Sequence, residues 1–251
     1  MDKTLLKGLS VLEAVIADDQ NARKLEDLAA QLGLTRSNAH RTLQTLAHAG
    51  YIERDPQKGG YRGTMKLFEL GSRSLQSLDV RKIAQPFMAR LLEETSETVH
   101  LSLLDGLEVV YVEKLDGVLP IRAYTSLGSR APAYAVATGK ALLAEQNEAL
   151  FDRFEGALEA YTKLTVVEVP ALKREARKVR EQGYAINRGE WRAGVGGVAS
   201  PVFDGAGQAI AALGISGPTE RLTPAKMKQQ GPFVRSVAQE LSRAMGHQGS
   251  R

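Results

Sequence analysis

The chain has 251 residues, 43% of them hydrophobic and 25% charged, so it is long and apolar enough for one large or two unequal globular domains. No apolar run approaches the roughly 18 residues that span a bilayer, and the first residues lack a signal-peptide pattern, so we expect a cytoplasmic protein without membrane contact. The absence of cysteine excludes disulfides, thiolate nucleophiles and cysteine-based zinc sites.

The net charge of +4 is unevenly distributed along the chain. Residues 33–66 hold six Lys and Arg against two Asp and Glu, whereas residues 1–32 hold four against six. A basic segment of this kind is an ordinary solvated surface unless a nucleic-acid-binding motif coincides with it. The meaning of the basic excess therefore depends on the motifs within residues 33–66.

Three helices and a hairpin are predicted in the first part of the chain. Apolar residues at helical spacing predict a helix over about 5–16 and a second over about 25–32, which ends at Gly33. The hydroxyl of Thr35 suits the N-cap of a third helix, which ends near Gly50. The short connection between the second and third helices is typical of a helix-turn-helix.

The polar face of the third helix has the residue types that contact phosphates and base edges. We expect DNA contacts from Thr35, Arg36, Ser37, Asn38, His40, Arg41 and Gln44. In this motif the N-terminal half of the helix enters the major groove, where Asn or Gln binds adenine and Arg binds guanine. Asn38, Arg41 and Gln44 are therefore the predicted base readers. The alternative is a solvated amphipathic helix with ordinary surface charges.

A β-hairpin wing is predicted after the third helix, with strands near residues 51–54 and from Tyr61 onward. Lys58 at its tip and Arg62 beyond it are expected to contact flanking phosphates, while Tyr61 packs the wing against the helices. The two histidines of the third helix lie eight residues apart with no carboxylate to complete a ligand set, so no metal site is predicted.

Further elements are predicted in chain order. They are a linker-like helix over 65–78, a helix over 83–94, two strands around the turn Asp105-Gly106, a strand over 119–125, the small-residue helix AVATGKALLAE, helices over 148–154 and 171–182, strands over 194–203 and 208–216, and a last helix from Thr223-Pro224. Because strands and helices do not alternate regularly, we expect an α+β domain with an antiparallel sheet.

Enzymatic motifs are incomplete. Gly139-Lys140 lacks the earlier glycine and the following Ser or Thr of a phosphate-binding loop, and the segment 214–218 is one residue short of a nucleophile elbow. No catalytic residue and no cofactor are predicted. Two alternatives stay open: a small-molecule enzyme with an accessory winged-helix module, and a winged-helix protein–protein adaptor without sequence-specific DNA affinity.

The chain resembles the IclR family of bacterial transcription regulators over nearly its whole length. Four stretches carry the resemblance: KGLSVLEAV, LEDLAAQLGLTRSNAHRTLQTLAHAGYIERD, PAYAVATGKALLA and QGYAINRGEWRAGVGGVASPVFDGAGQAIAALGISGP. The resemblance implies a winged helix-turn-helix over residues 1–64, a linker helix over 65–80 and a GAF-like effector-binding domain over 81–251. It also implies a repressor or activator without enzymatic activity that binds palindromic operator DNA as a homodimer or a dimer of dimers.

The resemblance further implies an effector site at the start of the GKA-containing helix. There the backbone amides of Ala137, Thr138 and Gly139 hold a small organic acid, which agrees with the preference of anions for helix N-termini. The alternative is a structural turn that needs small residues for close packing. The facing positions are Asn187, Gly197, Gly214 and Ser216.

These facing positions depart from the family's pattern for small keto acids, in which an acidic residue, a Cys and two Ser recur. Asn187 removes a negative charge, and the two glycines are expected to leave more space. We therefore predict an acid larger than a two- or three-carbon keto acid, such as a sugar acid or an aromatic acid. The lining of this space is expected to include Tyr124, Tyr134 and Trp191, with Arg122 or Arg130 paired to the carboxylate.

Overall fold

The computed structural model describes residues 1–17, 22–57, 59–76, 79–121 and 125–248. The chain divides into two compact units, Met1–Leu78 and Asp79–Arg251. The first unit includes the helix predicted as a linker, whose separate status stays a prediction. Within the described residues, no helix combines the length and apolarity needed to cross a membrane.

The first unit is a winged helix-turn-helix, as predicted. Its elements are α1 Lys3–Ile16, α2 Leu25–Gln31, α3 Arg36–His48, β1 Ile52–Arg54, β2 Tyr61–Gly63 and α4 Met65–Gln76. The strands pair antiparallel, with Ile52 opposite Gly63. The backbone of Tyr61 also pairs with Arg23, which attaches the wing to the chain that precedes α2.

The core of this unit lies between α1, α2, α3 and the first strand of the wing. It is formed by Val11, Ala14, Val15, Leu28, Leu43 and Ile52. Helix α3 begins after Thr35, whose hydroxyl accepts a hydrogen bond from the Asn38 amide at 3.3 Å. This N-cap is the one expected from the sequence.

The second unit is built on a six-stranded sheet. Its elements are α5 Asp79–Thr95, β3 Thr98–Asp105, β4 Glu108–Leu115, β5 Arg130–Pro132, a 3-10 turn Ala133–Ala135, α6 Ala137–Ala144, α7 Glu148–Asp152, α8 Val169–Gln182, β6 Ala185–Arg188, β7 Val195–Phe203, β8 Ala209–Pro218 and α9 Pro224–Ala244. The strand order is β5-β4-β3-β8-β7-β6, and neighbouring strands are antiparallel. The α+β prediction with an antiparallel sheet is confirmed.

Helices cover both faces of this sheet. Helix α6 packs on the central strands with α8 beside it, while α5 and α9 pack together on the sheet's other side. Seven of the nine residues of β7 are therefore buried, as expected for a strand covered on both faces. The core around α6 includes small side chains from the helix and the strands, among them Ala137, Ala141, Ala199 and Ala212. These small residues allow α6 to lie close to the sheet.

Two strand predictions are corrected by the structure. Residues 119–121 form bends instead of a strand, and residues 122–124 lie outside the described part of the chain. One edge strand is β5, within a stretch predicted as a loop, where Arg130 pairs with Val110 of β4. Strand β6 was not predicted, since it is four residues long and half of it is polar.

Candidate functional site

The polar face of α3 is open to solvent. Exposed residues on it are Thr35, Arg36, Ser37, His40, Arg41 and Gln44, and Asn38 is partly exposed. The Arg41 guanidinium donates a hydrogen bond to Asn38 Oδ1 at 2.8 Å. The Arg36 side chain lies 3.1 Å from a carboxylate oxygen of Glu26. The helix thus presents one side with several long donors and acceptors, a composition suited to base edges and phosphates.

The wing contains an arginine, Arg62, that forms an ion pair on the protein surface. Arg62 in β2 is exposed, and its guanidinium lies 2.7 Å from a carboxylate oxygen of Glu53 on the neighbouring strand. A phosphate contact by Arg62 therefore competes with this surface ion pair, which contributes little stability. Lys58 lies outside the described residues.

A partly open cavity of about 60 Å³ lies in the second unit, between the first turn of α6 and the central strands. That volume is room for a few water molecules. The residues around the cavity are His100, Tyr111, Thr125, Val136, Ala137, Thr138, Asn187, Trp191, Arg192, Val195, Gly197, Gly214, Ile215 and Ser216. Seven of these were expected from the sequence at the effector site, on three separate segments of the chain.

The N-terminus of α6 forms one end of the cavity. The N-cap residue is Val136, and no side chain caps the helix. The first amides of a helix have no intrahelical partner, and the helix dipole adds partial positive charge there. Ala137 and Thr138 line the cavity, so their backbones stand at a place suited to a carboxylate.

Gly139 has a different role from its two neighbours. It does not line the cavity, and a Cβ built on it would lie 2.2 Å from the backbone oxygen of Ala133. The absence of a side chain allows α6 to pack against the 3-10 turn before it. Close packing, and not ligand binding, therefore explains why residue 139 is glycine.

The two strand glycines do not enlarge the cavity. A Cβ on Gly214 would lie 2.6 Å from Cβ of Ala199, and one on Gly197 would lie 2.9 Å from the backbone oxygen of Ile215. The expectation that they leave space for a ligand is wrong, because the neighbouring strand occupies it. Asn187 fixes the adjoining loop, since its Oδ1 accepts hydrogen bonds from the amides of Gly189 at 3.0 Å and Glu190 at 2.8 Å.

Apart from Ser216, the sequence prediction missed the polar residues that His100 brings together in the cavity lining. The His100 Nε2 lies 2.7 Å from Ser216 Oγ, and its Nδ1 lies 3.4 Å from Thr125 Oγ1. The Tyr111 ring lies beside the imidazole, with ring centroids 4.9 Å apart. One signal was available: His100 stands between the apolar residues Val99 and Leu101 in a predicted strand.

Two predicted lining residues lie elsewhere. The Tyr134 hydroxyl donates to the backbone oxygen of Glu159 at 3.0 Å and accepts from its amide at 2.8 Å, which fixes it in the core beneath α6. Arg130 is exposed at the sheet edge and pairs with Asp105 at 2.6 Å and Glu108 at 2.7 Å. Arg122 and Tyr124 lie outside the described residues, whereas Trp191 lines the cavity as expected.

A buried ion cluster connects α6 to the loop that carries Trp191. The Lys140 ammonium lies 2.6 Å from Glu190 and 2.8 Å from Glu175, with the Lys140 and Glu190 side chains only 2% and 4% exposed. Burial raises the pKa of Glu190, and the charge of Lys140 acts against that rise. The pair joins two walls of the cavity, the α6 wall and the loop wall.

Comparison with known proteins places both units in one family. The family profile described as the IclR helix-turn-helix domain matches residues 4–56, and that described as the bacterial transcriptional regulator IclR C-terminal domain matches residues 72–243. The HTH-type transcriptional regulator XynR of Escherichia coli K12 is 38% identical over 246 residues, covering 96% of each chain.

Solved structures agree with this assignment. The Thermotoga maritima IclR is 31% identical with a TM-score of 0.80, covering 97% of this chain and 99% of the other. An IclR homologue from Microbacterium hydrocarbonoxydans, crystallised with 4-hydroxybenzoate, is 26% identical with a TM-score of 0.82, covering 96% and 100%. Since these relatives are transcription regulators, the enzyme and adaptor alternatives are set aside. The chain belongs to the IclR family of bacterial transcriptional regulators, and it is a helix-turn-helix DNA-binding protein and not an enzyme.

Proposed function

We propose that this regulator binds a palindromic operator in the cytoplasm as a homodimer or a dimer of dimers, and that a small organic acid in the α6 cavity changes its affinity for that operator. One observation carries the proposal: a single chain combines an exposed, polar α3 with a cavity at a helix N-terminus that has no side-chain cap. The polar face of α3 is suited to DNA, and the cavity at the start of α6 is suited to a carboxylate.

The DNA contacts proposed are those of the exposed face of α3, with Asn38, Arg41 and Gln44 at base edges. Phosphate contacts are assigned to Arg62 in the wing and to Lys58. The position of the donors on α3 supports this division. Asn38 and Arg41 lie in the N-terminal half of the helix, the half that enters the major groove in this motif, and Gln44 follows three residues after Arg41.

Dimer formation is supported by uncovered apolar side chains on two helices of the first unit. On α1, Leu5, Leu6 and Leu9 are 62%, 45% and 48% exposed, and on α4, Met65 and Phe68 are 68% and 66% exposed. Such a concentration of large apolar residues on the surface of a small unit is typical of a protein interface. A second copy of the chain is the occupant that two-fold operator symmetry favours.

The effector proposed is a carboxylic acid larger than a three-carbon keto acid, such as a sugar acid or an aromatic acid. The relative from Microbacterium hydrocarbonoxydans was crystallised in complex with an aromatic acid. In the present conformation the cavity encloses about 60 Å³, so a ligand of this size requires it to widen. The loop wall is the candidate for this movement, since Trp191 is half-buried and Arg192 is exposed.

The test is fluorescence anisotropy on DNA from the gene's own upstream region, with scrambled DNA of equal length, over a series of salt concentrations. We expect the specific DNA to bind at least about 10³-fold more tightly, with an affinity that falls as salt rises. Adding the effector should change that affinity by roughly 5- to 150-fold. Equal binding to both DNAs, and to sequences selected from random DNA, would contradict the proposal.

Ligand size is tested in the same assay. Pyruvate and glyoxylate are compared with gluconate and 4-hydroxybenzoate at equal concentrations. The proposal expects a response to a larger acid and not to the two keto acids, and the reverse order would contradict the size prediction.

The dimer is tested by analytical ultracentrifugation of the Leu5→Asp and Phe68→Asp variants. Each should dissociate more readily than the parent chain, because a buried unpaired carboxylate is costly. Asp at the exposed Leu164, in the second unit, is the control for an added charge. Unchanged association in both α1 and α4 variants would place the interface elsewhere.

A further inference from the structure

A polar part of the cavity lining is formed by His100, Tyr111 and Ser216, which stand on three adjacent strands, β3, β4 and β8. His100 and Tyr111 are 3% and 5% exposed, so both are almost wholly removed from bulk water. Ser216 lines the cavity beside the imidazole, with 2.7 Å from its Oγ to His100 Nε2. These groups form a compact polar surface within a lining that is otherwise largely apolar.

Both ring residues are neutral at physiological pH. Burial, and next the positive charge of Lys114, lowers the pKa of His100 to about 3 against the opposing effect of Asp116. Burial raises the pKa of Tyr111 to about 12, against the opposing effect of Arg192. His100 and Tyr111 themselves therefore supply no formal charge with which to hold a carboxylate. The electropositive groups around the cavity include Arg192, which also lines it, and the helix dipole at the start of α6.

A neutral imidazole has one donor nitrogen and one acceptor nitrogen, and it exchanges these roles by changing tautomer. The Ser216 hydroxyl can accordingly accept from His100 and donate toward the cavity, or donate to His100 and accept from the cavity. A ligand hydroxyl, which both donates and accepts, pairs with either arrangement.

The Tyr111 hydroxyl has no hydrogen-bond partner among the described residues, although the residue is 95% buried and lines the cavity. A ligand that covers this hydroxyl without pairing it incurs the cost of an unsatisfied buried polar group, whereas a ligand hydroxyl that pairs with it avoids that cost. Tyr111 is thus a polar group that a ligand can satisfy, independent of the His100–Ser216 pair.

We propose that the effector is a hydroxylated carboxylic acid, and that Tyr111 and the His100–Ser216 pair are the residues that select its hydroxyl group. The proposal rests on the proposed function, since the carboxylate is assigned to the amides of Ala137 and Thr138. It narrows the ligand class: an acid of the same carbon skeleton without the hydroxyl leaves Tyr111 unpaired and binds more weakly.

The test is isothermal titration calorimetry of the full chain with matched acids, each pair differing in its hydroxyl groups. The pairs are 4-hydroxybenzoate and benzoate, lactate and propionate, and gluconate and hexanoate. In the pair that binds, we expect the hydroxylated acid to bind roughly 5- to 150-fold more tightly than the plain acid. The plain acid leaves one buried polar group of the protein unpaired, and this range corresponds to the cost of doing so. Equal affinities within that pair would overturn this proposal and leave the proposed function standing. No binding by any of the six acids would count against the proposed function itself.

Two variants test whether Tyr111 and Ser216 are responsible for the preference for hydroxylated acids. Tyr111→Phe keeps the ring, so it should reduce the affinity for the hydroxylated acid, leave that for the plain acid nearly unchanged, and collapse their ratio. Ser216→Ala should reduce the ratio in the same direction. Tyr161→Phe, at a tyrosine that is 42% exposed and outside the lining, is the matched control. Melting temperatures of all three variants separate this effect from loss of folding, and an unchanged ratio in Tyr111→Phe would overturn the proposal.

Discussion

Helices α3 and α6 are the two helices assigned to binding, and they begin in opposite ways. Thr35 caps α3 with its own hydroxyl, and the helix presents a polar face to solvent. Val136 has no side-chain oxygen, so α6 has no side-chain cap, and all eight of its residues are buried. The first helix therefore offers side chains to a partner, and the second offers backbone amides.

This difference determines how each helix tolerates change. On α3 the binding groups point away from the core, so substitutions there alter DNA affinity with little effect on folding. On α6 every residue is packed, so a substitution alters folding and ligand binding together. Variants of α3 should therefore change DNA affinity, whereas variants of α6 should change stability and ligand binding. The largest loss of stability is expected on α6.

The buried ion pair of α6 should give the largest loss of stability. Replacing Lys140 by Met leaves the Glu190 carboxylate buried without its counter-charge, which costs about 3–5 kcal/mol. The surface pair of Lys173 and Asp152, at 3.0 Å with side chains 26% and 65% exposed, is the control, and Lys173→Met should cost less than about 1 kcal/mol. Urea denaturation measures both, and equal small losses would contradict the assigned importance of the buried pair.

The same variant should gain a distinctive pH dependence. Burial raises the pKa of Glu190 in the folded state, and the charge of Lys140 lowers it. Without Lys140 this pKa therefore rises further above its ordinary value of 4.5. The folded state then binds the proton more tightly than the unfolded state. The loss of stability of Lys140→Met relative to the parent should therefore be smallest below pH 4.5 and grow as the pH rises through the raised pKa of Glu190. A loss relative to the parent that stays constant with pH would contradict this account.

Close packing at the start of α6 predicts the next effect. Gly139→Ala places a methyl group 2.2 Å from the Ala133 backbone oxygen, so we expect a loss of about 1–3 kcal/mol and a weakened ligand response. Gly8→Ala is the matched control, since Gly8 lies within α1 and has no neighbour within 4 Å of its added Cβ. That change should stabilise the protein by roughly 0.5–1 kcal/mol. Thermal denaturation distinguishes the two signs, and stabilisation by both would refute the packing argument.

On α3 the effect should fall on DNA affinity. Arg41→Ala and Asn38→Ala should each weaken operator binding by about 1–3 kcal/mol and relax specificity at one base position. Their effects should not add, because the two side chains are hydrogen-bonded to each other at 2.8 Å. Lys178→Ala, at an exposed lysine of α8, is the control for lost charge. Anisotropy measures all of these, and unchanged affinity in both α3 variants would mean that another surface reads the operator.

The cap of α3 gives the smallest effect. Thr35→Ala removes the hydroxyl that accepts from the Asn38 amide, and should cost about 0.5–2 kcal/mol of unfolding free energy. Thr35→Ser keeps that oxygen and should recover most of the stability. If Ala and Ser variants were equally stable, the cap would not contribute as described.

Local sequence features were sufficient to predict the order of the helices in the first unit, the cap at Thr35 and the polar face of α3. These features depend on spacing of 3 or 4 residues and on side-chain type, both of which act over short stretches of chain. The hairpin at Asp105-Gly106 and the last helix at Thr223-Pro224 were predictable for the same reason, since turn and cap chemistry also act over a few residues.

The composition of the cavity depends instead on tertiary packing. The fold brings His100, Tyr111 and Ser216 together from three strands, and it places Tyr134 and Arg130 outside the cavity to which the sequence assigned them. Gly197 and Gly214 admit a neighbouring strand and not a ligand. These relations could not be predicted because they follow from strand register and from distances between residues far apart in the chain, which no local spacing rule contains.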